Sequence, residues 1–122
     1  MFDDWFKPQR SAVPTVTRDA AQQAEADAAT ASLALYHYDA CGFCRRVRKA
    51  IESLGLEIEL RNVMEDRDRY RELLTHGGRT TVPCLCIGKD DPASAQWMYE
   101  SADIIAWLVE RFGAPTGLSE AR

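Results

Sequence analysis

The chain lacks any apolar run close to the roughly 20 residues that a membrane-spanning helix requires. Its first four residues, Met-Phe-Asp-Asp, lack the positive start of a secretory signal. It also lacks a dense run of lysine or arginine, and its net charge is −4, which argues against a nucleic acid as partner. These absences predict a soluble cytoplasmic protein without a membrane span.

Histidine is scarce, and neither His37 nor His76 has the spacing of a catalytic triad or a metal pair. With 122 residues, 46% of them hydrophobic, the chain suits one packed domain and leaves no room for a second. Four cysteines are present, and in a reducing compartment such residues are seldom structural disulfides. The cysteines therefore become the first candidates for function.

Two of the cysteines stand in the sequence Cys-Gly-Phe-Cys at 41–44, between the apolar run 33–38 and a helix-period segment that reaches Leu54. Thiols three positions apart in the first turn of a helix lie on one face and are close enough for a small disulfide. Unpaired backbone N–H groups and the positive end of the helix dipole favour a thiolate at Cys41. We therefore expect Cys41 to be a nucleophile and Cys44 its resolving thiol.

A metal-binding role and an inert role are also open for this cysteine pair. Cys41 and Cys44 could join Cys84 and Cys86 in a four-thiolate zinc site, or the thiols could be inert and buried. A C-x-x-C sequence near a β-α-β pattern in a cytosolic protein favours the redox role, without a metal. The cations that follow, at positions 45, 46, 48 and 49, either add positive potential near the sulfur or form a solvated face.

Hydrophobic periodicity beyond residue 32 predicts the order β-α-β-α-β-β-α and hence a mixed four-stranded sheet with helices packed on it. The second helix is expected to turn Tyr70, Leu73 and Leu74 inward, and Ser101 to cap the last helix. Alternation puts Cys84 and Cys86 on one face of the third strand, where we expect core packing, although Cys84, next to Pro83, could instead react or be glutathionylated. The predicted elements are strands at 33–38, 56–60, 82–87 and 96–99, and helices at 43–54, at 66–76 and from 101 to 112.

Residues 1–31 differ in composition from the rest and are predicted to be an extension, partly helical or flexible. The segment from Ala20 to Ala31 favours a helix but has no large apolar side chain to pack a core, so we expect any helix there to be marginal unless it docks on the domain. Trp5 and Phe6 are expected to be exposed and to dock on the domain, a partner or a membrane surface, or to be incidental. The predicted domain spans 32–115 and is followed by a tail, 116–122.

The element order, with C-x-x-C at the first strand-to-helix turn, resembles the thioredoxin fold, and three motifs resemble the glutaredoxins over about residues 33–112. The first is Tyr36 followed five residues later by the Cys41 motif. The second, Arg-Thr-Thr-Val-Pro at 79–83, is similar to the Thr-Val-Pro element of that family. The third, Tyr-Glu-Ser-Ala-Asp-Ile at 99–104, is closer to the Glu-Ser element of glutathione transferase N-terminal domains.

The resemblance implies that Pro83 is cis and that the backbone of Val82 pairs with the cysteine portion of glutathione. A proline should open its strand, because it cannot donate a ladder hydrogen bond. By the same resemblance Glu100 and Ser101 grip the γ-glutamyl end of glutathione, and a helix N-terminus suits its carboxylate. Two further residues complete the implied glutathione site, Thr81 and Arg79, with the arginine binding a glutathione carboxylate.

The sequence departs from the glutaredoxin pattern in the active-site turn and at Tyr38, and residues 1–31 have no place in a minimal glutaredoxin. Gly42 replaces the proline common in dithiol glutaredoxins, and the start Cys-Gly-Phe matches the monothiol glutaredoxins, whose fourth residue is serine where this chain has Cys44. Tyr38 stands where many glutaredoxins carry a lysine that contacts glutathione. Monothiol glutaredoxins hold [2Fe-2S] clusters through the active-site cysteine and glutathione, so a cluster carrier remains an alternative.

The resemblance as a whole implies a glutathione-dependent thiol-disulfide oxidoreductase with a redox-active disulfide, acting in electron transport and cell redox homeostasis. Its partners would be glutathione and glutathionylated or disulfide-containing proteins. A third alternative is a transferase-like glutathione-binding module. Since the chain ends at Arg122, without the helical second domain in which transferases build their acceptor site, we do not expect full transferase activity.

Overall fold

The computed structural model describes residues 13–114, and they form a four-stranded sheet flanked by helices. The order of elements after the first helix is the predicted β-α-β-α-β-β-α. The helices are α1 (Ala20–Thr30), α2 (Gly42–Ser53), α3 (Arg67–Glu72, continued by a π-helical turn, Leu73–Gly77) and α4 (Ser101–Phe112); the strands are β1 (Leu33–His37), β2 (Glu59–Asn62), β3 (Cys84–Ile87) and β4 (Gln96–Tyr99).

The strands lie side by side in the order β2-β1-β3-β4. β1 runs parallel to β2 and antiparallel to β3, and β4 is antiparallel to β3. Leu35 is central, because it pairs with Leu60 on one side and Leu85 on the other. This mixed sheet, covered by helices on both faces, is the thioredoxin-like arrangement that the sequence predicted.

Alternation along the buried strands sends side chains into two separate cores. Leu35 and Leu85 pack with α1, α2 and α4 on one face, whereas Tyr36 packs on the other face with Leu73 of the π-helical turn. Cys84 and Cys86 lie in this second core, as strand alternation predicted. The central strands therefore read as continuous apolar runs, since both of their faces are covered.

The segment before β1 contributes to the first core, which the sequence analysis did not expect. Asp19 caps α1 by accepting a hydrogen bond from the N–H of Gln22, whose side chain accepts one from the N–H of Asp19 in return. Ala26 and Thr30 are buried, at 5% and 2% exposure. The expectation that this helix packs no core was wrong, because small side chains allow its backbone to lie close to the domain.

Two other elements differ from their predicted form. β2 begins at Glu59 rather than 56, because Leu56 is buried in the loop that precedes the strand. In and after α3 only Leu73 turns inward, whereas Tyr70 and Leu74 are 38% and 50% exposed. The π-helical turn that begins at Leu73 shifts the helical phase, so the 3.6-residue period no longer selects the buried positions.

Within residues 13–114, no helix is both long enough and apolar enough to cross a membrane. Trp5, Phe6 and the tail 116–122 lie outside the described residues, so the predictions made for them stay predictions.

Candidate functional site

Cys41 and Cys44 meet at the start of α2, as the spacing predicted. Cys41 is the N-cap residue of α2, with an extended backbone (φ −74°, ψ 118°). The N–H of Cys44 points at the Cys41 sulfur, with a nitrogen-to-sulfur distance of 3.2 Å. The Cys41 sulfur thus occupies the place that a capping oxygen takes at other helices, where backbone N–H groups stabilise negative charge.

The two thiols differ in their surroundings. Cys41 is 9% exposed, whereas Cys44 is completely buried. Burial, followed by its hydrogen bond with Cys41, raises the pKa of the Cys44 thiol to about 12. Cys44 therefore stays protonated at neutral pH, and Cys41 is the outer thiol of the pair.

The segment that enters β3 passes beside Cys41. The Cys41 sulfur lies 4.0 Å from the carbonyl oxygen of Val82, and the Val82–Pro83 peptide bond is cis. Pro83 is buried and comes one residue before β3, so it precedes the strand instead of opening it. Thr81 is exposed just before this point. The cis bond that the resemblance implied is present.

Arg79 and Tyr99 form a clamp on the loop that leads to Val82. The Tyr99 hydroxyl donates to the carbonyl of Arg79 at 2.9 Å and accepts from its N–H at 3.3 Å. The Arg79 guanidinium lies over the Tyr99 ring, 4.2 Å from its centre. Any side chain at Gly77 would collide with the Tyr99 hydroxyl. Sequence analysis missed this role of Tyr99, which it named only as the first residue of the third motif.

The Glu-Ser element lies at the end of β4. Glu100, not Ser101, is the N-cap residue of α4, and its side chain makes no capping hydrogen bond. Its φ of +73° is the single positive φ among the described residues that are not glycine. Ser101 is the first helical residue and is buried. A strained residue next to the N-terminus of a 12-residue helix is typical of a functional site.

The register of the sheet brings these segments to one end. Cys84 pairs with Tyr36 on β1 and with Tyr99 on β4. The residues just before Cys84 therefore lie beside those just after Tyr99, and the loop to Cys41 leaves β1 at the same end. Arg79 to Pro83, the cysteine pair and the Glu-Ser element thus share one edge of the fold.

Cys84 and Cys86 do not belong to this site. They are buried in the second core, and burial raises their thiol pKa values to about 12 and about 11. Among the described residues 13–114, no group of three or more histidine, cysteine or acidic side chains could hold a metal ion. The zinc alternative is therefore not supported, whereas core packing of this second pair is.

Neither histidine takes part in the site. His37 is buried, and Nδ1 of its ring lies 3.0 Å from a guanidinium nitrogen of Arg48. Burial, followed by the positive charge of Arg48, lowers the pKa of His37, so the ring is neutral and Nδ1 accepts the hydrogen bond. His76 stacks on Trp97. Of the four cations that follow Cys44, Arg48 thus already donates a hydrogen bond to a side chain of β1.

The part of the sequence that forms this fold and site matches the sequence model of a protein family. The model of the glutathione S-transferase N-terminal domain matches residues 35–116, which is more than half of the chain and includes the cysteine pair, the cis proline and the Glu-Ser element. The chain belongs to the glutathione S-transferase N-terminal domain family.

Solved structures agree with this membership. A glutathione transferase homologue from Drosophila mojavensis, with bound glutathione, is 26% identical with a TM-score of 0.54, over 67% of this chain and 36% of that one. Glutathione transferase E6 from Drosophila melanogaster is 28% identical with a TM-score of 0.50, over 66% of this chain and 34% of that one. Omega 2S from Trametes versicolor, at 18% identity and a TM-score of 0.57, shares the fold over 66% of this chain and 38% of that one.

The chain thus spans a little over a third of the length of the transferases that it matches. A search of curated protein sequences gave no significant match.

Proposed function

We propose that this transferase-like thioredoxin-fold protein is a glutathione-dependent thiol-disulfide oxidoreductase in which Cys41 is the nucleophile. The observation that carries the proposal is the N–H of Cys44 donating to the Cys41 sulfur at the start of α2. The thiolate is the species that attacks disulfides, and backbone N–H groups at a helix N-terminus are surroundings that favour it. Burial keeps the proton on Cys44, so the proposal assigns the attack to Cys41.

The reaction needs two exchange steps. The Cys41 thiolate attacks the glutathione sulfur of a glutathionylated target; the target's sulfur leaves as a thiolate and takes a proton, and a Cys41–glutathione disulfide remains. The thiolate of a second glutathione then attacks the glutathione sulfur of this disulfide. Oxidised glutathione leaves, and the Cys41 thiolate returns. In all, one free glutathione is consumed: its sulfur becomes part of oxidised glutathione, and the target's sulfur is reduced to a thiol.

Cys44 offers a second way to resolve the Cys41–glutathione disulfide. Its thiolate would attack the Cys41 sulfur, releasing glutathione and leaving a Cys41–Cys44 disulfide that further glutathione reduces. The buried position and raised pKa of Cys44 disfavour the thiolate that this step requires. We therefore propose that external glutathione resolves the intermediate on glutathionylated targets, and that Cys44 acts when the target itself has a disulfide.

Glutathione is proposed to lie across the shared edge of the fold, with its cysteine portion along Val82 and its γ-glutamyl carboxylate at the N–H groups of α4, next to Ser101. Three features support this placement: the closeness of Val82 to the Cys41 sulfur, the buried Ser101, and the strained φ of Glu100. Glu100 would pair with the γ-glutamyl ammonium group. The Drosophila mojavensis homologue has glutathione bound, which supports a glutathione site on this fold.

The remaining two residues of the proposed glutathione site precede Val82. Thr81 is exposed there, and Arg79 is held by Tyr99 with its guanidinium over the aromatic ring. A cation fixed in this way presents its N–H groups in one direction, which suits a glutathione carboxylate.

The direct test is reduction of a glutathionylated peptide, coupled to glutathione and glutathione reductase. Turnover should require Cys41, so Cys41→Ser should abolish it, whereas Cys44→Ser should keep at least about half of the wild-type rate because external glutathione resolves the intermediate. Cys86→Ser is the matched control, since it removes a thiol of the second core. Turnover that persists in Cys41→Ser would contradict the proposal.

A second candidate is favoured by the family itself, namely a glutathione-binding module that acts as part of a transferase. It predicts glutathione binding by calorimetry and conjugation of glutathione to 1-chloro-2,4-dinitrobenzene, without reduction of the peptide. The cluster-carrier alternative predicts a brown dimer after purification without oxygen. If Cys41 serves disulfide exchange, glutathione binding is still expected, but neither conjugation without peptide reduction nor a brown dimer is.

A further inference from the structure

An open depression lies on the solvent side of α2 and begins beside the proposed nucleophile, and every residue that lines it belongs to that helix. Its volume is about 440 Å³, and we call it the basic groove. Between its first lining residue, Gly42, and its last, Glu52, the helix rises about 15 Å. The groove is lined by Gly42, Arg45, Arg46, Arg48, Lys49 and Glu52.

Three cations of the basic groove lack the partners that most other described cations have, whereas the fourth, Arg48, contacts the His37 ring. Elsewhere, arginine and lysine side chains pair with carboxylates, cap carbonyl groups or lie on aromatic rings. Within residues 13–114, by contrast, Arg45, Arg46 and Lys49 are exposed and have no carboxylate within 4.0 Å. Among the other cations of these residues, Arg67 on α3 is likewise exposed and has no carboxylate, carbonyl or aromatic-ring partner.

This clustering does not follow from the composition of the chain. The protein has 19 acidic and 15 basic residues, a net charge of −4, yet four of its cations and a single carboxylate line one groove. Holding like charges together costs free energy through their repulsion, and within residues 13–114 Glu52 is the one carboxylate that lines the groove. Such a cluster is suited to an external ligand of opposite charge.

We propose that the basic groove receives an acidic segment of the target protein and so selects targets whose reactive sulfur lies next to acidic residues. This proposal rests on the proposed function and adds the class of target. About 15 Å corresponds to four or five residues of an extended peptide. Phe43, 60% exposed next to Cys41, offers the peptide an apolar contact close to the reacting sulfur.

A peptide fits these features better than a nucleic acid does. Tight binding to a duplex depends on many phosphate contacts, whereas the groove offers four cations on a molecule that is acidic overall. The groove takes no part in the exchange of sulfur atoms. It raises the concentration of matching targets at the thiol, an effect that salt screens because the charges are exposed.

The test uses two glutathionylated peptides that differ only in one flank, three aspartates in one and three lysines in the other. With the full chain, glutathione and glutathione reductase, kcat/KM should be about tenfold higher for the aspartate peptide at low ionic strength. In about 0.5 M salt the ratio should fall to within about twofold. The variant Arg45→Gln/Arg46→Gln/Lys49→Gln should show the same collapse in low salt.

Arg67→Gln is the matched control, since it removes an exposed cation without a carboxylate partner outside the groove, and it should keep the wild-type ratio. The salt dependence of the wild-type protein tests the proposal even if the triple variant folds poorly. Equal, salt-independent turnover of both peptides would overturn the groove proposal and leave the proposed function intact. Turnover of neither peptide would overturn both. Inhibition by a DNA oligonucleotide but not by polyglutamate would also overturn the acidic-peptide assignment.

Discussion

Replacement of Arg18 by methionine is expected to destabilise the whole domain. The Arg18 guanidinium joins two helix ends, because one nitrogen donates to the carbonyl of Leu54 at 2.7 Å and to that of Gly55 at 3.3 Å, and the other to that of Phe112 at 3.0 Å. These carbonyls lie at the C-terminal ends of α2 and α4. A cation at a helix C-terminus also interacts favourably with the helix dipole. Methionine keeps the unbranched stem and removes the charge and all three contacts.

The size of the effect follows from the two short contacts. Hydrogen bonds that involve a charged group contribute about 1.5–3 kcal/mol each. Arg18 is partly exposed, so the carbonyls it releases can regain water, and the lower value suits each bond. The expected loss is therefore about 3 kcal/mol in the free energy of unfolding. For a domain of this size it corresponds to a fall in Tm of roughly 10–15 °C.

Urea unfolding followed by tryptophan fluorescence, together with thermal melting by circular dichroism, measures the loss. Arg67→Met is the control, since it changes an exposed cation without such contacts and should stay within about 0.5 kcal/mol of wild type. A loss for Arg18→Met below about 1 kcal/mol, or one equal to that of the control, would refute the role assigned to these contacts.

Three further outcomes are expected. Gly42→Pro should leave the free energy of unfolding unchanged or raise it by up to about 1 kcal/mol, with Tm following, because Gly42 is the first residue of α2 and faces open space. Gly78→Ala should lower Tm, because Gly78 has a φ of +89°. Tyr99→Phe should raise KM for glutathione without slowing alkylation of the reactive thiol, because Arg79 loses both hydrogen bonds from the hydroxyl. Ion pairs lower the pKa of Glu59 to about 2, so its contribution to stability should be complete above about pH 4.5 and lost toward pH 2. In Glu59→Gln, stability should therefore depend less on pH in this range when unfolding is followed by circular dichroism.

Elements with a clean hydrophobic period could be predicted from the sequence. β4 has the predicted bounds, and the cysteine pair stands at a strand-to-helix junction because an apolar run and a helix-period segment flank it. In the candidate site, Cys41, Val82 and Pro83 come together as the family resemblance implied. Local patterns carry this information, since each depends on neighbours within a few residues.

The features that were missed depend on contacts between distant segments. Arg18 precedes an alanine-rich helix, and no local pattern shows that its guanidinium reaches the ends of two other helices. The clamp formed by Tyr99 on Arg79 likewise joins residues 20 positions apart. Glu100 has an L-residue side chain in a backbone region that local propensity disfavours, so the sequence predicted Ser101 as the cap.

The three cysteines other than the proposed nucleophile are buried. Cys44 and Cys84 are 0% exposed and Cys86 is 1% exposed, so an alkylating reagent can reach them only when the surrounding structure opens. Their labelling rates, read by mass spectrometry, would time the opening of two different places, the start of α2 for Cys44 and the central strand β3 for the other two. The buried cysteines thus report local opening of the fold at two places without any engineered label.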